Sequence, residues 1–389
     1  MIESEVVQIQ SSLDHASLMR IAGEALKAQV DDVVVDKVTK LKDGAGNPTS
    51  AGLWRISGTA RANAVVQPWS VVMKKFVNPE GTFGDHNDQT HVNYWRRELD
   101  VFESDIYGDL PDGTALPAYF GSLDEGPDSV SILIEDLGDL DRSTWTLDTY
   151  VTAARALALI ERRYLTHVPL PRASWINSDI PRKWGAVMQR YVDVWRLPAV
   201  AGYEPLEQLL DTPANRVTRP WIRALYEPEP LFAALDRLPH VFGHNDPNID
   251  NLAVRLGPGG APEVVLFDLQ WSGITNVGSE LSQLLCQVPA TFEGRSRAEV
   301  DELVLAAYYH ELVATNADVT FAQAEFGYAA SATLRELPFS FGMLGLALEP
   351  LLEARDDDAV RAAVSAHLWA IEGGALPRLV NRAYELAAL

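Results

Sequence analysis

Carboxylate and amide side chains recur at a short, regular spacing in one part of the chain. The segment from His244 to Asn251 reads His-x-Asp-x-x-x-x-Asn, with Asp246 as its carboxylate. Asp268 follows 22 residues after Asp246, at the end of an apolar run. Phosphoryl transfer from a nucleotide needs a carboxylate that orients the attacking hydroxyl and receives its proton, and hard oxygen ligands for magnesium. Asp246 fits the first role, Asn251 and Asp268 fit the second, and their spacing predicts this chemistry.

The same segment has a simpler interpretation. Asn, Asp and Pro are the usual residues of tight turns, and Asn245 to Asn248 is such a run. Taken alone, the segment fits an ordinary turn as well as a catalytic loop. Three further features, in the order along the chain that phosphoryl transfer requires, favour the catalytic interpretation.

Two of these features are a strand lysine and a helix glutamate. Lys74 ends an apolar run that predicts a strand, from which a lysine can reach nucleotide phosphates. Lys75 follows directly, and because side chains alternate along a strand, only one of the two can face the nucleotide. Glu98, on the next predicted helix, is placed to pair with that lysine. The alternative interpretation is that Lys74 and Glu98 are ordinary solvent-facing charges.

The third feature is the segment Ile132-Leu133-Ile134-Glu135-Asp136-Leu137. An apolar strand that runs into a connector offers backbone groups to the edge of an adenine and apolar walls to its faces. We therefore expect Glu135 and Leu137 to contribute to the nucleotide site.

Hydrophobic periodicity divides the chain into an α+β part and a mostly helical part. The first part has a predicted helix over 13–30, strands near Val33–Val38, 53–57, 69–76 and 130–134, and a helix over 90–107. The second part has predicted helices over 147–165, 183–197, 298–316 and 358–388, interrupted by a β element over 241–271. This pattern predicts a small α+β domain over 1–138 and a mostly helical domain over 139–389.

These motifs resemble those of the aminoglycoside phosphotransferase and choline kinase group. The resemblance is closest to a bacterial phosphotransferase subfamily of uncertain substrate, in three segments: Pro68 to Lys74, Tyr94 to Glu98, and Ile134 to Gly138. It covers residues 30–290, and the following C-terminal residues carry no matching motif beyond their helicity.

The resemblance implies a two-lobed protein-kinase-like fold, with a small antiparallel-sheet N-lobe, a larger helical C-lobe and ATP in the cleft between them. Asp246 would be the catalytic base, Asn251 and Asp268 the Mg²⁺ ligands, Lys74 the phosphate-binding lysine and Glu98 its partner. The resemblance also implies that residues 43–52, including Ser50, cover the phosphates.

Two positions depart from related patterns. Asn245 stands where protein kinases have the Arg of His-Arg-Asp, so the chain has no obvious partner for an activation-loop phosphate. Glu280, in Gly278-Ser279-Glu280, stands where the family more often has Asp. We expect Glu280 to brace the catalytic loop rather than to act in the site.

Composition limits the class of protein. The formal net charge of −22 disfavours binding to nucleic acid or to anionic membranes. The single cysteine, Cys286, excludes an internal disulfide, and its apolar surroundings predict a buried, inert thiol. The first residues lack the pattern of a signal peptide, and no apolar stretch approaches the roughly 20 residues of a membrane span. These observations predict a cytoplasmic protein.

The sequence thus predicts an ATP- and Mg²⁺-dependent phosphotransferase that acts on a hydroxyl of a small molecule, such as an aminoglycoside, an amino sugar or a sugar-like alcohol. A kinase of a choline-like or other metabolite and a nucleotide-binding pseudokinase are the alternatives. Acidic residues Glu349, Glu353 and Asp356-Asp357-Asp358 would suit a cationic acceptor, but they also fit the generally acidic surface. The oligomeric state stays open.

Overall fold

The structure is a computed structural model that describes residues 13–43, 49–79, 86–166, 168–192 and 220–389, with only the backbone at 189–192, 220 and 222. The chain forms two compact units, each built from separate stretches. The first comprises Met1–Asp109, Ala115–Leu140 and Val265–Gln270, and the second comprises Leu110–Thr114, Asp141–Val264 and Trp271–Leu389. The sequence prediction used one boundary, after residue 138, whereas these units are discontinuous.

A five-stranded antiparallel sheet dominates the first unit, in the order β1-β2-β3-β6-β5. Its strands are β1 (Val30–Asp43), β2 (Ser50–Ala62), β3 (Val65–Val77), β5 (Tyr119–Asp124) and β6 (Ser129–Glu135), with the short β4 (Thr114–Ala115) between β3 and β5 in the sequence. Alternate residues of β2 are buried, as expected for a strand with one face on a core. The strands predicted near 33–38, 53–57, 69–76 and 130–134 are therefore present, and β5 is additional.

The helix α1 (His15–Leu26) covers one face of this sheet. It begins at the N-cap Asp14, whose side chain accepts a hydrogen bond from Ser17 N. Ile21 and Ala22 pack with Trp54, Ile56 and other buried residues of the strands. The first unit thus has its own hydrophobic core.

The helix predicted over 90–107 is much shorter than expected. Only α2 (Arg97–Phe102) is helical, and the residues before it form turns. The guanidinium of Arg97 is buried and donates to the carbonyl oxygens of His91 and Val92. These carbonyls therefore bind a side chain instead of helical amides, which explains why the helix begins late.

The second unit is mostly helical. Its helices are α3 (Leu147–Thr166), α4 (Ile180–Val192), α5 (Pro220–Tyr226), α6 (Glu229–Leu235), α7 (Leu281–Leu285), α8 (Arg297–Leu312), α9 (Phe321–Glu353), α10 (Asp357–Gly373) and α11 (Leu376–Ala387). The predicted helices near 147–165 and 298–316 are present, and the one over 358–388 is divided between α10 and α11. Residues 193–197 of the predicted helix over 183–197 lie outside the described residues.

Helix α9 was not predicted. It has 33 residues and is buried around much of its surface, so its sequence lacks the one-sided stripe of an amphipathic helix. Pro338 and Pro350 also lie inside it, and proline normally indicates the end of a helix. The buried side chains of α9 pack with α5, α10 and α11 in a second core, which includes Trp221, Phe341 and Val364.

The predicted β element of the second unit consists of short strands. β7 (His240–Gly243) pairs with β10 (Gly273–Asn276), while β8 (Leu252–Leu256) and β9 (Pro262–Leu266) adjoin in a three-stranded sheet with β4. The strands β11 (Thr291–Phe292) and β12 (Arg295–Ser296) form a separate hairpin. The turn between β7 and β8 contains Asp246 and Asn251.

Three smaller features complete the fold. Asp356 caps α10, and Asp357 and Asp358 lie in its first turn, so this acidic run begins a helix. Cys286 is partly buried, and burial raises the pKa of its thiol to about 12. No helix in the described ranges is long and apolar enough to cross a membrane.

Candidate active site

Lys74 and two carboxylates form a buried ion-pair cluster in the first unit. The Nζ atom of Lys74 lies 2.5 Å from Glu98 Oε2 and 2.7 Å from Asp268 Oδ1. Lys74 is 3% exposed and Glu98 is fully buried, whereas the Asp268 side chain is 31% exposed. Lys75, the next residue on β3, instead pairs with Glu125. The predicted pairing of Lys74 with Glu98, and the opposite orientation of Lys75, are both confirmed.

Burial and charge act against each other in this cluster. Burial lowers the pKa of Lys74, but the negative charges of Asp268 and Glu98 outweigh it and hold the pKa above its usual value. Burial raises the pKa of Glu98 to about 7, and nearby Asp268 raises it while Lys74 lowers it. Lys74 therefore stays a cation at neutral pH, beside a carboxylate that remains accessible to solvent.

The backbone around Asp268 holds the cluster together. Asp268 has a φ of +59°, a left-handed conformation that Asp tolerates better than most residues. The next two residues bind the segment that carries Glu98: Leu269 N donates to the Glu98 carboxyl, and the Gln270 amide donates to Tyr94 O at 3.0 Å. Arg97 in turn donates to Gln270 O. A left-handed backbone position next to two charged groups, Lys74 and Glu98, is typical of functional sites.

The sheet determines where the other proposed nucleotide-binding residues lie. Ser50 begins β2 opposite Phe76, two residues beyond Lys74 on β3. Glu135 ends β6, the other neighbour of β3, and is opposite Val71. Its side chain accepts from Ala118 N, so the carboxylate of Glu135 braces the sheet edge. Residues 44–48 of the predicted phosphate-covering loop lie outside the described residues.

An arginine missed in the sequence analysis fixes the connector that follows β6. Arg55, on β2, forms ion pairs with Asp136 at 2.8 Å and with Asp139 at 2.8 Å. Gly138 N also donates to Asp136. Leu137, which is partly exposed, is therefore held between anchored neighbours. No sequence motif indicates this role for Arg55.

Asp246 and Asn251 lie together in the second unit, in the loop after β7. The Nδ2 atom of Asn251 donates to Asp246 Oδ2 and to Asp246 O, both at 2.9 Å. Asp246 Oδ1 accepts from Asn248 Nδ2 at 3.2 Å, and Asp246 N donates to His244 Nδ1. The carboxylate of Asp246 is partly exposed. The loop thus orients a carboxylate that is accessible to solvent.

Asn245 anchors this loop on three sides. It has a φ of +65° and is 3% exposed. Its N–H donates to Glu280 Oε1 at 2.6 Å, its Nδ2 donates to Gly273 O at 3.0 Å, and its carbonyl accepts from Arg335. The predicted bracing by Glu280 is therefore present. Arg335, 90 residues further along the chain, was missed because no local pattern connects it with the loop.

The side-chain oxygen atoms of Asn251 and Asp268 are of the kind that ligates magnesium. Because Asn251 Nδ2 faces the Asp246 carboxylate, the amide oxygen Oδ1 remains as the atom that can ligate a cation. Asp268 offers a partly exposed carboxylate. Carboxylate and amide oxygens are hard ligands of the kind that Mg²⁺ prefers, and Mg²⁺ usually binds few protein ligands together with substrate phosphates. Lys74, Glu98 and Asp268 lie in the first unit, and Asp246 and Asn251 in the second.

The fold of this chain is similar to that of a solved kinase structure. The amicoumacin kinase hAmiN in complex with AMP-PNP, Ca²⁺ and Ami matches with a TM-score of 0.50 at 11% sequence identity, over 92% of this chain and 95% of that one. The chain shares the fold of this kinase. The antiparallel-sheet and helical units of a kinase-like α+β fold, predicted from the sequence, are confirmed.

Two other matching structures are small-molecule kinases. The microcompartment-associated aminopropanol kinase matches with a TM-score of 0.49 at 15% identity, over 95% of this chain and 98% of that one. The choline kinase from Cryptosporidium parvum Iowa II matches with a TM-score of 0.48 at 13% identity, over 88% of this chain and 91% of that one. No protein-family model and no curated protein sequence matches the chain.

Proposed function

We propose that this protein is an ATP- and Mg²⁺-dependent phosphotransferase that moves the γ-phosphoryl group of ATP to a hydroxyl of a small molecule. The buried cluster of Lys74, Glu98 and Asp268 is the observation that carries this proposal. A lysine held by one buried glutamate, next to a solvent-accessible aspartate, is suited to bind phosphates while the aspartate ligates their metal ion. Burying charged groups costs free energy, so a buried ion-pair cluster does not by itself indicate a gain in stability.

The first unit would bind the nucleotide. Lys74 contributes a fixed positive charge for the phosphates, and Glu98 holds its ammonium in place. Asp268 and Asn251 would ligate Mg²⁺, which when bound neutralises phosphate charge and aligns the phosphates. Backbone groups near Glu135 and Leu137 would contact the adenine, and Ser50 would lie near the phosphates.

The second unit would supply the catalytic base. Asp246 is oriented by two side-chain amides, so its carboxylate can bind the acceptor hydroxyl and receive its proton during transfer. The nucleotide analogue in the amicoumacin kinase and the small-molecule acceptors named for the other matching kinases support this interpretation. An aminoglycoside phosphotransferase-like or choline kinase-like enzyme of the cytoplasm fits these properties.

A cavity of about 630 Å³ in the second unit supports a specific acceptor site. Glu336 of α9 lines it, and the preceding residue on that helix, Arg335, donates to Asn245 O in the loop that carries Asp246. The cavity is lined by Glu336, Phe339, Ser340, Met343, Leu344, Ala347, Ala363, Ala366, His367 and Leu376. We propose that the acceptor binds here with its hydroxyl towards Asp246.

The lining argues for an acceptor with an apolar face and little positive charge. Most of its side chains are apolar or small, and its one carboxylate, Glu336, already accepts a hydrogen bond from Gln283. Burial lowers the pKa of His367, so this ring is neutral at neutral pH. The acidic residues Glu349, Glu353 and Asp356 to Asp358 are exposed and are not among the lining residues. A polycationic aminoglycoside is therefore less suited than a neutral or singly charged alcohol.

Incubation of the full chain with Mg²⁺, ATP and a panel of alcohols tests the proposal. Mass spectrometry should detect a phosphorylated acceptor with the native protein and much less with Asp246→Asn. The panel should pair neutral alcohols that have apolar groups with aminoglycosides and quaternary amines. Binding of ATP without turnover of any acceptor would support a pseudokinase instead.

A cavity-filling variant tests the acceptor site. Ala363→Trp should raise the KM for the acceptor and leave the KM for ATP unchanged, because the indole would occupy the cavity. Ala362→Trp is the matched control, since Ala362 is exposed on the same helix and is not a lining residue. Equal KM values for the two variants would exclude this cavity as the acceptor site.

A further inference from the structure

Two glutamate carboxyls meet in the interior of the second unit, behind the loop that carries Asp246. Glu161 lies on α3 and Glu280 precedes α7, and the two residues are 0% and 1% exposed. The two carboxyls lie within hydrogen-bonding reach of each other, and each shifts the pKa of the other. Neither forms an ion pair with a lysine or arginine of the described residues. Two adjacent buried carboxyls cannot both be ionised without a large cost in free energy, so one of them is expected to carry a proton.

The hydrogen bonds around the pair define where a proton must lie. Tyr308 OH accepts from Gly278 N at 2.7 Å, and its single proton is donated to Glu161 Oε2 at 2.5 Å. Glu280 Oε1 accepts from Asn245 N. The remaining oxygens, Glu161 Oε1 and Glu280 Oε2, are buried and receive no hydrogen bond from a donor in the described part of the chain. A proton on Glu161 Oε1, donated to Glu280 Oε2, satisfies both atoms.

The electrostatics agree with this assignment. Burial raises the pKa of Glu161 well above its usual value, and the charge of Glu280 raises it further. Burial raises the pKa of Glu280 to about 7, while the N–H groups of Asn245 and His244 and the positive charge of Arg335 lower it. Glu280 is therefore the carboxyl that ionises first, and Glu161 retains the proton. Tyr308 and Arg335 are the titratable groups that face the pair from α8 and α9.

We propose that Glu161 is a positioning residue that, as a neutral carboxylic acid, holds the Glu280 carboxylate against the backbone of the catalytic loop. Glu280 then accepts from Asn245, the residue before Asp246, and fixes its left-handed backbone. Gly243 makes room for this arrangement, since a Cβ at that position would lie 2.6 Å from Glu280 Cδ. The importance of this contact for catalysis rests on the proposed function, whereas the proton and the loop contact do not.

Two substitutions of Glu161 separate the role of the donor from that of packing. The amide of Glu161→Gln can still donate to Glu280 and accept from Tyr308, so kcat should stay within about threefold of the native value. Glu161→Leu has a similar size but no donor, and leaves buried oxygens unsatisfied, so kcat should fall by about tenfold or more with the KM for ATP unchanged. Glu311→Gln is the control, because Glu311 pairs with the neighbouring Arg162 at a more exposed position. Equal kcat values for Glu161→Leu and Glu311→Gln would overturn the positioning role.

Two measurements need no enzymatic activity. Infrared spectra at mildly alkaline pH should show a protonated carboxyl band in the native protein and in Glu311→Gln, and this band should be absent from Glu161→Gln. Hydrogen–deuterium exchange of residues 240–250 should become faster in Glu161→Leu but not in Glu161→Gln. An unchanged infrared band in Glu161→Gln would place the proton elsewhere and overturn the proposal, even if no acceptor is ever phosphorylated.

Discussion

Replacement of Lys74 by methionine removes the one cation of a buried cluster and should destabilise the protein in a pH-dependent way. Methionine keeps most of the apolar volume of the lysine stem but cannot pair with Glu98 or Asp268. Loss of a charge-assisted hydrogen bond to partly exposed Asp268 should cost about 2 kcal/mol at any pH at which Asp268 is ionised. The contribution of Glu98 depends on its protonation.

The cost of Lys74→Met should rise with pH, because the pKa of Glu98 is raised in the folded protein. A carboxyl whose pKa is higher in the folded protein than in the unfolded chain loses its stabilising contribution as the pH rises from the unfolded value, 4.5, to the folded value, about 7. Without Lys74 the folded pKa rises further, so the loss continues above pH 7. At about pH 8, about one pH unit above the folded pKa of Glu98 in the native protein, this adds at most about 1.4 kcal/mol, whereas at about pH 6 Glu98 is largely protonated in both proteins. We expect Lys74→Met to cost about 2 kcal/mol at about pH 6 and about 3 kcal/mol at about pH 8.

Urea unfolding of the full chain at the two pH values measures these costs. Lys75→Met is the matched control on the same strand, because its partner Glu125 is partly exposed; it should cost less than about 1 kcal/mol at both pH values. In a Glu98→Gln background the additional loss at the higher pH should disappear. A Lys74→Met variant that loses the same stability at both pH values, or no more than Lys75→Met, would refute the interpretation of the cluster.

Three further predictions concern the catalytic groups. Asp268→Ala should abolish turnover and sharply weaken Mg²⁺-dependent ATP binding; calorimetry that finds native Mg²⁺-ATP affinity would remove Asp268 from the metal site. Asp246→Asn should keep the affinity for ATP while kcat falls by about 10² to 10⁴-fold, and a variant that retains a large part of kcat with chemistry rate-limiting would contradict its assignment as the base. Gly243→Ala should lower kcat and accelerate hydrogen exchange of the catalytic loop, because the added methyl would collide with the Glu280 carboxyl; native kinetics and exchange would show that this contact can relax freely.

The sequence alone identified features that depend on residues close to one another along the chain. The opposite orientations of Lys74 and Lys75 follow from alternation along a strand. The grouping of Asp246 and Asn251 in one loop follows from their spacing of five residues. Such features survive in almost any fold, because the chain itself keeps the residues close together.

The tertiary structure decided the features that depend on distant parts of the chain. Asp268 reaches Lys74 across 194 residues, Arg335 reaches Asn245 across 90, and Glu161 meets Glu280 from another helix. No local pattern encodes these contacts, since each side chain alone looks like an ordinary surface charge. Helix α9 was not predicted for a related reason: it is buried on many sides and contains two prolines. Its helical conformation is stabilised by the packing of α5, α10 and α11 around it, which the local sequence does not show. Spacing along the chain therefore identified the candidate groups, whereas burial among distant elements determined which of them are charged and how they are held.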